Sequence, residues 1–361
     1  MTSSHRPARA IINTNALVHN LRVAKKAAGS ARVIAVIKAD AYGHGMLKAA
    51  EALQHADGFA VATLSEAIAL RTAGVKKSIL VFQGGRSEED YRLAQQYQLT
   101  LTIHNLQQLD QLEITPQPWP DIWLKVDTGM GRMGIAINDV DSALNRLGDT
   151  CKQLMSHLAC ADEPSDPLNQ TQIKRFNQLL KTTGLAGSLM NSAGILRIDN
   201  LYDAVRPGIM LYGSSPIAGG DAAKQQLEPV MTLQAPLIAI NSHKTGDSIG
   251  YGADYVCEDD MLVGVIAIGY GDGYPRHAVS GTPVLINGVE CSLIGKVSMD
   301  LLTVDLRPST DAKMGDLATL WGVGLSVDLV AQKASTIAYE LLCSAGASCQ
   351  REYDSKGTQD G

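Results

Sequence analysis

At 361 residues, with 45% hydrophobic and 19% charged residues, the chain has the profile of an ordinary folded protein and enough length for two domains. A net charge of −6 and a pI near 5.8 argue against a nucleic-acid surface and leave small metabolites as the default partners. The N-terminal MTSSHRPARAIINT lacks the apolar segment of a secretory signal, and no later window approaches a membrane span, so a cytoplasmic protein is expected. Cys151, Cys160, Cys257, Cys291, Cys343 and Cys349 are scattered without a CxxC pair, as in reduced thiols. His157 and Cys160 have ligand-like spacing but no second pair, so no metal site is expected.

From residue 32 onward, short apolar runs alternate with amphipathic stretches. The candidate strands are RVIAVIK (32–38), GFAVAT (58–63), SILVFQ (78–83), LTLTIH (99–104), DIWLKVD (121–127), QLMSHLA (153–159), SLMNSA (188–193) and AVRPGIM (204–210). Segments 46–55, 65–73, 90–97 and 172–182, among others, have helical spacing. Eight β/α units point to a TIM barrel over a Rossmann sheet. After about residue 219 the pattern changes to short β-prone runs and Gly-rich turns, including MTLQAPLIAI, MLVGVIAIG, TPVLING and LLTVDL, which read as a separate β domain. Two helical segments, 326–333 and 336–342, follow it.

Barrel chemistry sits at the carboxyl ends of strands. Lys38, Arg132, His157, Asn191 with Ser192, and Arg206 all fall at or near such ends. Lys38 closes the apolar run 33–37, and a lysine in a dry strand end has a lowered pKa and serves as an amine nucleophile. Gly43 and Gly45 then open a turn able to aim backbone N–H groups at an anion. Taken alone, Lys38 also reads as the first polar residue after a strand. Lys125 alternates onto the same face as Asp127, and a lysine pointing into a barrel must be neutralised or modified. The loop DTGMGRMG holds a literal GxGxxG in Gly129, Gly131 and Gly134, which leaves a dinucleotide site open, although an arginine occupies the loop.

The segments AVIKADAYGHG (35–45), DTGMGRMG (127–134), VRPGIMLYG (205–213), SIGYGADY (248–255), IGYGDGYPR (268–276), GKVSMD (295–300) and YELLC (339–343) together resemble the alanine racemases, which use pyridoxal 5′-phosphate (PLP). The resemblance implies a barrel over 10–225, a β-rich domain over 226–345 to which residues 1–13 add a strand, and a homodimer with shared active sites. It implies interconversion of L- and D-alanine through an external aldimine, with Lys38 serving the D-isomer and Tyr251 of the second chain the L-isomer. The product would be D-alanine for peptidoglycan. Arg132 and Met299 would hold the substrate carboxylate, and Tyr42, Ser192, Gly208 and Ile209 would surround the cofactor phosphate, with Asn191 beside them. Arg206 would donate to the ring nitrogen in place of the usual acidic partner, and His157 would link it to the tyrosine. Lys125, carbamylated, would orient Arg132, while Tyr270 narrows the entrance beside Asp300.

Relatives usually close the β domain with an Arg-Val-Pro segment; here 346–361 is polar, and an atypical, disordered tail without a strand is expected. Ser298 stands where many relatives carry cysteine. The rival readings are a racemase with a wider pocket, a PLP-storing barrel and an NAD-dependent dehydrogenase. The tyrosine-bearing β domain speaks against storage.

Overall fold

The computed structural model describes residues 6–354. The chain starts with β1 (Arg9–Asn13), which belongs to the far domain. Asn13 then turns it into helix Thr14–Ala28, its side chain accepting from the Asn15 and Ala16 N–H groups at 3.0 and 3.1 Å. Eight parallel strands follow: β2 (Arg32–Val36), β3 (Gly58–Val61), β4 (Ser78–Val81), β5 (Thr100–Ile103), β6 (Ile122–Lys125), β7 (Cys151–Met155), β8 (Ala186–Ser188) and β9 (Ala204–Val205). They pair in chain order, and β9 returns to β2 through Arg32↔Ala204 and Val33↔Val205. No ladder joins β8 to β9. The gap is bridged by hydrogen bonds from Asp203 N–H to the Gly187 carbonyl (3.1 Å) and from Arg206 N–H to the Met190 carbonyl (2.9 Å).

The barrel strands carry continuous apolar runs because helices cover their outer faces while the interior fills with side chains. Val33, Ala35, Val61, Ile79, Val81, Leu101, Ile103, Ile122 and Leu124 have no solvent exposure. The strands are shorter than their apolar runs: beyond β8, Leu189 and Met190 continue as buried loop, and beyond β9, Ile209–Tyr212 is a short 3-10 turn.

The second domain contains β10 (Met231–His243), β11 (Ser248–Ile249), β12 (Tyr255–Val256), β13 (Met261–Ile266), β14 (Pro283–Ile286), β15 (Val289–Ile294), β16 (Leu302–Asp305) and β17 (Leu317–Trp321). The ladder β13-β16-β15-β14-β17-β10 closes on itself because β10 pairs β17 through Leu233–Pro236 and then β13 through Leu237–His243, with an irregularity between Leu237 and Ala239. β1 extends this sheet antiparallel to β10.

The expectation of a structureless tail fails here. Helix Ala338–Ser348 continues past the apolar run, and Gln350–Asp354 forms β18, parallel to β1. The outer edge of β1 offers unpaired N–H and C=O groups, and pairing with them asks little of the side chains. β18 buries almost none of its own side chains, so it leaves no hydrophobic signature in the sequence. The last part of the expected tail, 355–361, lies outside the described residues.

Candidate active site

The loop after β2 is the most constrained part of the barrel mouth. Ala39, Asp40, Ala41 and Tyr42 all have positive φ (52, 51, 56 and 53°), a left-handed turn closed by bonds such as Gly43 N–H to the Ala39 carbonyl (3.0 Å). For L-residues such a turn costs roughly 1–2 kcal/mol per residue and persists only where its surroundings hold it. Glu66 supplies one restraint. One carboxylate oxygen accepts from Ala39 N–H at 2.7 Å, and the other from Ala62 and Thr63 N–H at 2.8 and 2.9 Å, in a capping box on helix Leu64–Thr72. His44 Nδ1 lies 2.9 and 3.0 Å from the Ala41 and Tyr42 carbonyls, its ring stacked on Tyr212. Gly43 packs against helix Ala338–Ser348 so closely that a Cβ there would run into the Leu342 carbonyl.

This turn carries Lys38 and Tyr42. Burial, then the charge of Arg132, draws the Lys38 amine below the ordinary lysine range, against smaller upward pulls from Glu66 and Cys343. Tyr42 is buried, stacked on Tyr212 with centroids 4.6 Å apart and tilted against Tyr339 at 5.7 Å. Its hydroxyl has no hydrogen-bond partner among the described residues and lies where a Cβ on Gly208 would be only 2.5 Å away. Across from it, Ser192 Oγ accepts from Gly208 N–H at 2.8 Å, and Asn191 caps helix Ser192–Arg197 by accepting from Gly194 N–H at 3.0 Å. Ile209 follows at the start of the adjoining 3-10 turn.

Arg206 is buried beyond β9. Its terminal nitrogens donate to Ser188 Oγ, the Ser156 carbonyl (2.6 Å) and the Leu189 carbonyl (3.4 Å), while Nε has no acceptor among the described residues. Burial pulls its pKa down to about 10. Lys125, buried at the end of β6, has neither a hydrogen bond nor an ion pair among the described residues. Burial first, then Arg206, Arg132 and Lys38, push it down to about 8. The part-buried His157 ring is held well below its ordinary value by burial and by Arg206, Lys125, Arg132 and Lys38, and is therefore neutral. Among the described residues, none of Lys38, Lys125, Arg132 and Arg206 has a carboxylate ion-pair partner, so the site is a cationic well.

Asp127 does not answer Lys125 with an ion pair. Its carboxylate accepts from the N–H groups of Gly129 (2.8 Å), Met130 (2.9 Å) and Gly131 (3.0 Å), which outweigh burial and hold the carboxyl below the ordinary range. That contact also removes the dinucleotide reading. The N–H groups of Gly129, Met130 and Gly131 are already spent on a neighbouring carboxylate and cannot cradle a pyrophosphate. The loop instead presents Arg132, exposed and without a protein partner among the described residues.

Four of the expected residues lie in the other domain. Tyr251 sits in the turn Tyr251–Ala253, 69% exposed, and makes no hydrogen bond or ring contact with a barrel residue among the described residues. Tyr270 and Met299 occupy adjoining segments, joined by Tyr270 N–H to the Ser298 carbonyl (3.1 Å) and Gly271 N–H to the Met299 carbonyl (2.8 Å). Asp300 is ion-paired with Arg6 at 2.5 Å. The expected tyrosine–histidine–arginine chain is therefore not assembled within one chain.

The matched family models are the alanine racemase N-terminal domain, over residues 12–216, and C-terminal domain, over 230–353. The chain belongs to the alanine racemase family. A relative described as alanine racemase from Nitrosococcus oceani is 49% identical over 93% of this chain and 96% of its own length. Another from Aeromonas hydrophila is 46% identical over 95% and 98%. The crystal structure of biosynthetic alanine racemase from Pseudomonas aeruginosa superposes with a TM-score of 0.93 at 41% identity, covering 97% of this chain and 99% of that one. Alanine racemases are PLP-dependent isomerases, and the residues present fit that cofactor. The unpartnered Tyr42 hydroxyl, the Gly208 backbone beside it and the Ser192 hydroxyl would hold the cofactor phosphate. The Arg206 Nε–H, which has no acceptor among the described residues, would be the group to donate to the cofactor's ring nitrogen. Sequence reasoning missed Glu66, His44 and Tyr339; of these only Glu66 had a readable signal, the Thr63-Leu64-Ser65-Glu66 capping box.

Proposed function

We propose that the enzyme interconverts L-alanine and D-alanine, with Lys38 and Tyr251 of the partner subunit moving the α-proton on opposite faces of the substrate. The observation that carries this reading is the split site. The barrel supplies an amine, an unpartnered tyrosine hydroxyl and a guanidinium N–H without an acceptor among the described residues, while Tyr251 stands exposed on the second domain. Removing a proton from one face and returning one on the other requires two separately placed groups. PLP, when bound, withdraws electrons from the α-carbon and makes its proton removable. Arg206, which donates but cannot accept the ring proton, keeps that withdrawal moderate and so discourages side reactions.

Lys38, its amine drawn below the ordinary lysine range by burial, holds or releases the proton at Nζ. Arg132 receives the substrate carboxylate, with the Met299 segment of the partner subunit closing over it. Lys125 is the group that orients Arg132. Its neutral amine at mildly alkaline pH is the form that reacts with carbon dioxide to give a carbamate, losing one proton and gaining the negative charge the well lacks. A cytoplasmic homodimer supplying D-alanine for peptidoglycan follows from this reading.

The test is subunit complementation. Lys38→Ala and Tyr251→Phe are each nearly inactive, but mixing them through a cycle of dissociation restores roughly a quarter of wild-type activity, because half the dimers are mixed and each carries one intact site of two. No recovery would contradict a shared site. A panel of amino acids then separates an alanine-specific pocket from a wider one.

A further inference from the structure

We propose that Arg351, on the C-terminal strand β18, is a positioning residue for the turn that carries Lys38. The inference rests on the reading of Lys38 as the proton carrier for D-alanine. The left-handed turn 39–42 has restraints from the barrel side in Glu66 and His44, but one flank, Asp40, faces the other domain. One Asp40 oxygen accepts from Met46 N–H at 2.6 Å, tying the turn to the next helix, and the other is ion-paired with Arg351, 311 positions away. Arg351 also reaches the Gly43 carbonyl at 3.4 Å. Two residues on, and so on the same face of the strand, the Tyr353 hydroxyl lies against Gly45, where a Cβ would overlap it. The intervening Glu352 points the other way and pairs with Arg9 of β1 at 3.2 Å.

β18 thus has one face anchored to its own sheet and the other aimed at the cofactor loop. Residues 350–354 form a clamp: backbone pairing with β1 fixes the strand, and Arg351 and Tyr353 bear on both ends of the segment 40–45. Loosening it frees the turn and disturbs the Lys38 amine and the Tyr42 hydroxyl. The Tyr251 side of the reaction, carried by a separate turn, is not touched.

The experiment follows α-proton exchange in deuterated water with retention of configuration, starting separately from D- and L-alanine, on holoenzyme. Arg351→Met slows exchange into D-alanine by roughly tenfold or more, since small displacements of a reacting group cost that much, and slows exchange into L-alanine less. Arg351→Lys recovers part of the loss. Asp40→Asn, approaching from the barrel side, reproduces the asymmetry, and the double variant is no worse than Arg351→Met alone. Glu352→Gln changes neither rate. In the cofactor-free protein, amide hydrogen exchange across 38–46 accelerates in Arg351→Met. Equal losses in both directions, or unchanged amide exchange, would overturn the clamp. If instead Lys38→Ala still exchanges the proton of D-alanine, the assignment of Lys38 fails, whatever Arg351 does.

Discussion

Gly208→Ala tests the phosphate cradle directly. Gly208 has φ −120°, outside the left-handed region, so the obstacle to a side chain is the Tyr42 hydroxyl, 2.5 Å from the new Cβ. Ordinary carbon–oxygen contact needs about 3.4 Å or more, so the hydroxyl must retreat by roughly 1 Å. Tyr42 cannot swing freely: it is buried and packed between Tyr212 and Tyr339. A retreat of that size breaks a hydrogen bond to a charged phosphate, a contact contributing about 1.5–3 kcal/mol, which corresponds to roughly 10- to 150-fold weaker PLP binding. The assay titrates cofactor-free protein with PLP by tyrosine and tryptophan fluorescence. Tyr42→Phe loses a similar amount by deleting the same hydroxyl, and because both changes act on one contact, the double variant falls short of the sum. PLP affinity within twofold of wild type in Gly208→Ala would refute the cradle, as would full additivity with Tyr42→Phe.

Glu66→Gln keeps one acceptor oxygen but turns an NH2 toward an N–H that needed an acceptor. The expected cost is about 1–2 kcal/mol, seen as a lower Tm together with faster amide exchange at Ala39. Lys125 predicts a pH dependence. In the folded, unmodified protein its amine loses its proton near 8, whereas unfolded it keeps the proton to about 10.5, so stability is lowest below pH 8 and rises between those values as the buried charge disappears. Chemical denaturation across that window shows the slope, and Lys125→Met removes it. A slope unchanged by the substitution would show that Lys125 is not its source. Adding ¹³C-bicarbonate gives a carbamate resonance that Lys125→Met lacks. Finally, because the enantiomers are equal in free energy, Tyr251→Phe lowers kcat/KM alike in both directions, but exchange into D-alanine through Lys38 persists while exchange into L-alanine is lost. Loss of both exchanges would argue against two separate proton carriers.

Much of the barrel was readable because a parallel strand buried on both faces writes an uninterrupted apolar run, as in 33–37 and 58–61. The residues that end those runs, Lys38, Lys125 and Arg206, are polar where a solvated chain has no reason to bury them. Pattern together with the barrel rule therefore pointed to the strand ends, while Lys38 taken alone still read as the first polar residue after a strand. The family's motifs then attached roles to particular positions, and those motifs are local. What resisted was non-local or carried by backbone. β18 forms on the open edge of β1 with half-exposed polar side chains, so hydropathy holds no record of it. The left-handed turn at 39–42 has ordinary residues in an unusual conformation, held by Glu66, His44 and Arg351 from three parts of the chain.

By itself, then, the sequence determined the two-domain plan and the cationic strand ends, since each depends on residue type and short spacing, while the role of Arg206 beside a cofactor ring came only with the family resemblance. Only the tertiary structure decided that the N–H groups of Gly129, Met130 and Gly131 are taken by Asp127, and that β18 reaches back to the lysine turn. It also placed Tyr251 outside its own barrel. Hydrogen-bond partners and ion pairs across hundreds of residues follow from how the sheets close, which no local pattern encodes.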